Sequence, residues 1–208
     1  MQFGTQIYRL TGRISTEVDV TLSFSTTKTV ASALRVLDLY AAQGVPKEAV
    51  RIKISGTWEG IQAARILQQE YGVSCLVTIV FSMVQSIATA EAGADAIAPY
   101  IGRIADWGKL NWKTGDLGVQ TVQAIQNHLR KRGFKTQVMA ASFRNANQVR
   151  QLAGVDLLTA APAILEAVEA EDVPIVPVLT SESGEFYWRK CDERWLMTGN
   201  NSSSIGFA

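Results

Sequence analysis

Val50-Arg51-Ile52-Lys53-Ile54-Ser55-Gly56-Thr57-Trp58-Glu59-Gly60 reads as a strand, a tight turn and the start of a helix. Its first five residues make a largely apolar, β-branched run that suits a buried strand. Lys53 stands inside that run. Taking an ammonium out of water is costly, so burial favours the neutral amine, a nucleophile able to form a Schiff base with a carbonyl compound. The alternative is a lysine that points outward and reaches solvent from the strand end.

Outward from this stretch the same unit recurs: an amphipathic helical segment, a glycine, then a short apolar run. Val30, Leu34, Leu37 and Ala41 share one helical face, and Gly44 closes the segment before the strand at 50–54. Ile61, Ala64 and Leu67 precede Gly72 and the run Val73–Phe81; Met83–Glu91 precedes Gly93 and Ala94–Pro99. Val119, Val122, Ile125 and Leu129 lead to Gly133 and Gln137–Ala141; Val149 and Leu152 lead to Gly154 and Asp156–Ala160. Pro162–Ala170 reads as a last helix with proline in its first turn.

Counted from Arg13–Val18, the pattern gives six strands alternating with helices, and hence a parallel sheet with crossover connections. Glu17, Lys53, Thr78, Arg103, Ser142 and Arg144 fall at or just past strand ends, the face that carries the site in a (β/α)8 TIM barrel. A dinucleotide-type open sheet would show a glycine-rich first turn, and no G-x-G-x-x-G occurs. The expected fold is α/β of the TIM-barrel type, incomplete, with about six of the eight βα units.

The 208 residues, 47% hydrophobic and 19% charged, suit one globular domain with a sizeable core. We place that partial barrel at residues 1–190 and an irregular polar tail at 191–208, where Thr198–Ser204 looks disordered. Twenty basic residues against nineteen acidic give a net charge of +1, so neither a nucleic-acid nor a membrane partner is expected. Cys75 and Cys191 lie far apart and read as core filler or a surface thiol, consistent with a reducing compartment. No apolar stretch of 18 residues and no charged-then-apolar leader is seen, so the expected location is the cytoplasm. His128 is the single histidine; near a basic helix end it reads as solvated and cannot found a metal cluster.

The segments Gly12–Asp19, Ile52–Gly60, Thr78–Ser82, Ala98–Trp107, Ala141–Arg144 and Leu158–Pro162 stand in the order and spacing of the transaldolase family. The chain resembles that family from about Gly12 to about Trp188. The resemblance implies transfer of a dihydroxyacetone unit between sugar phosphates in the pentose phosphate pathway. In the family reaction sedoheptulose 7-phosphate and glyceraldehyde 3-phosphate give erythrose 4-phosphate and fructose 6-phosphate. Lys53 matches the Schiff-base lysine, Glu17 and Thr78 the pair that handles a catalytic water, and Arg103, Ser142 and Arg144 the phosphate-binding positions.

The residue chemistry agrees. A lysine iminium is an electron sink for carbon–carbon cleavage, carbinolamine dehydration needs a proton shuttle, and arginine forks to phosphate oxygens. Plain alternatives are a strand-end charge at Glu17, β-propensity at Thr78, surface ion pairs for the arginines and an N-cap at Ser142. Asp106 and Trp107 are expected to fix the loop after the fourth strand. The implied reaction needs no metal or organic cofactor.

Three departures stand out. The family's first two strands, with an aspartate and an asparagine of the site, have no counterpart in the sequence. Leu76 and Ala98 occupy positions where the family has an asparagine and a serine. Beyond Phe186-Tyr187-Trp188 the chain leaves the family's pattern of a helix covering the barrel. The alternative function is therefore a catalytically impaired or inactive relative that serves as a sugar-phosphate-binding or interaction module. Strand edges left without partners also leave room for a homo-oligomer.

Overall fold

The computed structural model describes residues 2–111, 115–171 and 173–179. Helix α1 (Gln2–Thr11) leads into β1 (Ile14–Glu17), and a 3-10 turn (Val20–Leu22) precedes α2 (Thr26–Ala41). A second 3-10 turn (Lys47–Ala49) opens β2 (Val50–Ser55), followed by α3 (Trp58–Tyr71), β3 (Cys75–Val80), α4 (Met83–Glu91) and β4 (Ala96–Pro99). The chain continues through α5 (Ile101–Asn111), α6 (Leu117–Lys131), β5 (Gln137–Ala141), α7 (Ala146–Gln151), β6 (Leu157–Thr159) and α8 (Pro162–Ala170).

The strands pair in chain order, β1 to β6, and every pairing is parallel. This is an incomplete α/β barrel: a six-stranded arc whose β1 and β6 are both edges among the described residues. Five of the crossover helices start on a side-chain cap. Ser25, Thr57, Ser82, Asp116 and Asn145 each accept a backbone N–H from the helix they open. Gly72 closes α3 at φ 61°, a left-handed turn that glycine adopts without steric cost.

Alternation along the strands separates two faces. Ile52 and Ile54 of β2 are buried with Cys75 and Val77 of β3, Leu67 of α3, and Ile125 and Leu129 of α6, forming the core between sheet and helices. Lys53 and Ser55 point the other way and are half-buried on the inner face of the arc. Parallel strands thus bury the helix side as an apolar run and keep polar groups on the inside.

Two expectations need correction. Asp106 and Trp107 lie in α5 rather than a loop, because the chain turns helical directly after Tyr100 with no glycine to mark it. His128 is buried: it sits three residues beyond Ile125 and beside Leu129, on the core face of α6. Helix α1, which packs on β1, has no counterpart in the repeat. Among the described residues no helix is long and apolar enough to cross a membrane. The expected tail at 191–208, with Cys191, lies outside the described residues.

Candidate active site

Glu17 and Lys53 are register partners on adjacent strands. Parallel pairing sends both side chains to the same face, and Lys53 Nζ donates to Glu17 Oε1 there. Lys53 is not buried as the apolar run suggested: 25% of its side chain is exposed, because the inner face of the arc is open. The Glu17 carboxylate is its hydrogen-bond partner there. An ammonium must shed a proton before it can attack a carbonyl, and Glu17 provides an acceptor within hydrogen-bond reach.

Thr78 is the register partner of Ser55, two residues past Lys53. It is buried, and its Oγ1 donates to Tyr100 Oη at 3.1 Å. Glu17, Lys53, Thr78 and Tyr100 line a small cavity of about 70 Å³, large enough to admit water. The same four side chains border an open cavity of about 610 Å³ that extends to Ala98, Met139 and Ser142. Tyr100 is a site residue the sequence reading missed. Its signal was faint, a lone tyrosine after Pro99, and only the sheet register brings its hydroxyl to Thr78.

Leu76 is the register neighbour of Lys53 and forms an apolar cluster with Ala96, Ala98 and Met139 on the inner face. Neither Leu76 nor Ala98 carries a side-chain hydrogen-bonding group. One flank of Lys53 is therefore polar, through Glu17, and the other apolar.

At the far side of the open cavity, Ser142 follows β5 with φ 68°, a left-handed conformation uncommon outside glycine. Arg144 Nη1 donates to Ser142 Oγ at 3.1 Å, while its Nη2 and Nε reach Asp106 Oδ2 at 2.8 and 3.3 Å. Arg144 thus turns one edge of its fork to Asp106 and another donor to Ser142. That hydrogen bond, ahead of the nearby charges of Arg144, Lys109 and Arg103, holds the Asp106 carboxyl below the usual carboxylate range. The backbone N–H of Arg144 donates to buried Gln148, whose amide reaches Asp116, the N-cap of α6. Gly102 lets the elements meet, since a Cβ there would lie 2.3 Å from Ser142 O and 2.6 Å from Arg144 Cζ. Arg103 is exposed on the first turn of α5, close enough to Asp106 for its charge to act on that carboxyl.

All six residues singled out from the sequence fall on the strand-end face, in two groups. Glu17, Lys53 and Thr78 surround the small cavity, and Ser142, Arg144 and Arg103 gather around Asp106. Cys75 takes no part: burial, then the charge of Asp95, pushes its thiol up to about 12, so it is core filler. Among the described residues no group of three or more metal-binding side chains is assembled.

Residues 1–196 match the family model described as transaldolase/fructose-6-phosphate aldolase. The chain is 48% identical over 185 residues to a probable transaldolase of Drosophila melanogaster, covering 86% of this chain and 56% of that protein. It is 44% identical over 193 residues to a transaldolase of Kluyveromyces lactis, covering 89% and 57%. Against a transaldolase of Bos taurus the values are 43% over 190 residues, 88% and 56%. The chain spans about 56–57% of the length of these curated relatives.

Proposed function

The chain belongs to the transaldolase/fructose-6-phosphate aldolase family, and from that premise we propose that it transfers a dihydroxyacetone unit between sugar phosphates through a Schiff base on Lys53. The observation that carries this reading is the Lys53–Glu17 pair and the Thr78–Tyr100 hydroxyl pair lining one small cavity.

The Lys53 amine, its proton passed toward Glu17, attacks the C2 carbonyl of a ketose phosphate and gives a carbinolamine. Loss of the C2 hydroxyl as water leaves the iminium, with Glu17 and the Thr78 hydroxyl relaying the proton that the departing oxygen takes. In the cleavage step the C4 hydroxyl gives up its proton to a base and becomes the aldehyde. The C3–C4 electron pair moves onto the iminium nitrogen and leaves an enamine on Lys53. Attack of that enamine on a second aldehyde, then hydrolysis, releases the new ketose and restores the amine.

Arg144, Ser142 and Arg103 supply the phosphate grip in this reading. A phosphate meeting Arg144 would take the donor now turned to Ser142, while Asp106 keeps the other edge of the fork in place. Sugar phosphates are the proposed ligands and the cytoplasm the proposed location. The reaction draws on no metal or organic cofactor.

A second reading, Schiff-base formation or sugar-phosphate binding without turnover, is favoured by one feature. Among the described residues Glu17 is the single carboxylate bordering the open cavity, and Leu76 and Ala98 leave the opposite flank of Lys53 apolar. A coupled transfer assay with fructose 6-phosphate and an acceptor aldehyde separates the two. Turnover that vanishes in Lys53→Met supports the transferase reading; ligand-dependent stabilisation without turnover supports the second.

A further inference from the structure

We propose that Gln85 is a positioning residue for the Lys53 chemistry, acting by clamping a left-handed bulge at Ile79; this rests on the Schiff-base reading above. Ile79 has φ 60°, a region in which a β-branched residue is a genuine outlier. It marks an irregularity in the β3–β4 register, where Thr78 pairs with Ala98 but Val80 with Pro99.

The bulge changes what β3 presents. Cys75 and Val77 lie in the helix-side core, with Leu76 and Thr78 on the inner face, as alternation requires. Strict alternation would return Ile79 to the core and send Val80 inward. Instead Val80 is fully buried in the helix-side core, and Ile79 follows Thr78 in lining the small cavity beside Lys53. One extra residue gives the cavity two consecutive lining residues from β3. It also leaves Val80 O to accept the N–H of Tyr100, whose hydroxyl meets Thr78.

Such a conformation persists only where its surroundings over-determine it. Gln85 supplies that constraint from the first turn of α4. Its Nε2 donates to Ile79 O at 3.3 Å and to Gly56 O at 2.8 Å, and its Oε1 accepts from Phe81 N–H at 2.9 Å and Ser82 Oγ at 3.3 Å. The side chain's two donors and two acceptor sites are all engaged. Gly56 belongs to the turn after β2, the strand that carries Lys53, and its N–H donates to Thr78 O at 2.7 Å. One amide therefore ties the turn beyond the nucleophile to the bulge that presents Thr78 and Ile79. Ser82-Met83-Val84-Gln85 also fits a helix-capping pattern, but capping uses only the acceptor side of the amide and leaves its two donors unexplained.

That division provides the test. In the full chain, Gln85→Glu keeps the acceptor contacts to Phe81 and Ser82 and loses both donors; Gln85→Met loses both kinds. Rates of borohydride-trapped adduct formation with fructose 6-phosphate are measured for wild type and both variants, each also in an Ile79→Gly background. Both variants should slow trapping about tenfold or more at saturating donor, with half-saturation changed less than about threefold, since small misplacements are costly to oriented chemistry. In the Ile79→Gly background, where a left-handed residue needs no clamp, the same variants should cost less than about twofold. A Gln85→Glu protein that traps at the wild-type rate, or equal losses in both backgrounds, would overturn the proposal. If the wild type itself gives no adduct, the Schiff-base reading fails instead. Amide exchange then tests the clamp: Gly56 and Tyr100 N–H should exchange about tenfold faster in Gln85→Glu, and unchanged exchange refutes it.

Discussion

Units β3 and β6 with their helices descend from the same sequence pattern, an apolar run followed by an amphipathic segment, yet they meet different fates. Strand β3 is buried at five of its six positions and pairs on both sides; α3, leading into it, buries Ile61, Ala63, Ala64 and Leu67. Among the described residues strand β6 pairs on one side only, none of its residues is buried, and α8 buries none either, with Leu158 and Leu165 about half exposed. Local pattern makes the element, but a neighbour on each side makes the core. Lys53 on β2 and Thr78 on β3 stand in strands paired on both sides, while Glu17 stands on the edge strand β1 and is itself largely exposed.

The contrast breaks most visibly in solution. Among the described residues, edges at β1 and β6 leave backbone groups unpaired beside apolar side chains. The chain should therefore self-associate, with a mass by light scattering that rises with concentration and with binding of a hydrophobic dye. A monodisperse monomer with a sharp reversible melt would show that the β6 side is covered as β3 is. Next in size, Leu67→Ala in α3 should cost about 2–5 kcal/mol in chemical denaturation, while Leu165→Ala in α8 should stay within about 0.5 kcal/mol. Equal costs would erase the distinction between the two regions.

The smallest effect concerns the Arg144–Asp106 pair. The folded-state pKa of Asp106 lies below its unfolded value, so the pair's stabilisation is complete above the ordinary carboxylate range and is lost as pH falls through the lowered value. Wild type and Asp106→Asn should differ near neutral pH and converge in acid. The difference should be about 1 kcal/mol or less and shrink with salt, because both side chains are substantially exposed. Denaturation curves across pH at low and high salt measure it; a gap that persists in acid would mean another group carries the effect.

Glycine punctuation made the strand count and the barrel-type reading legible from the sequence, because each helix-to-strand return needs a residue that turns sharply. Where the chain turns helical without that mark, as from Tyr100 into α5, the reading went wrong. His128 was misjudged from its charged neighbours although its spacing from Ile125 puts it on the buried face. The strand-end residues were legible individually, since their types did not suit an apolar run. Their partners were not. Glu17 lies opposite Lys53 only through the β1–β2 register, Tyr100 reaches Thr78 only through the β3–β4 pairing, and the slip at Ile79 has no glycine to betray it.

The central claim is that Lys53 is the Schiff-base nucleophile of this chain. The direct measurement is to incubate the folded protein with fructose 6-phosphate, reduce with borohydride and map the modified peptide by mass spectrometry. The account predicts one adduct, on the peptide containing Lys53, absent in Lys53→Met and absent without the sugar phosphate. A folded sample that yields no adduct, or an adduct spread over other lysines and unaffected by Lys53→Met, would contradict it.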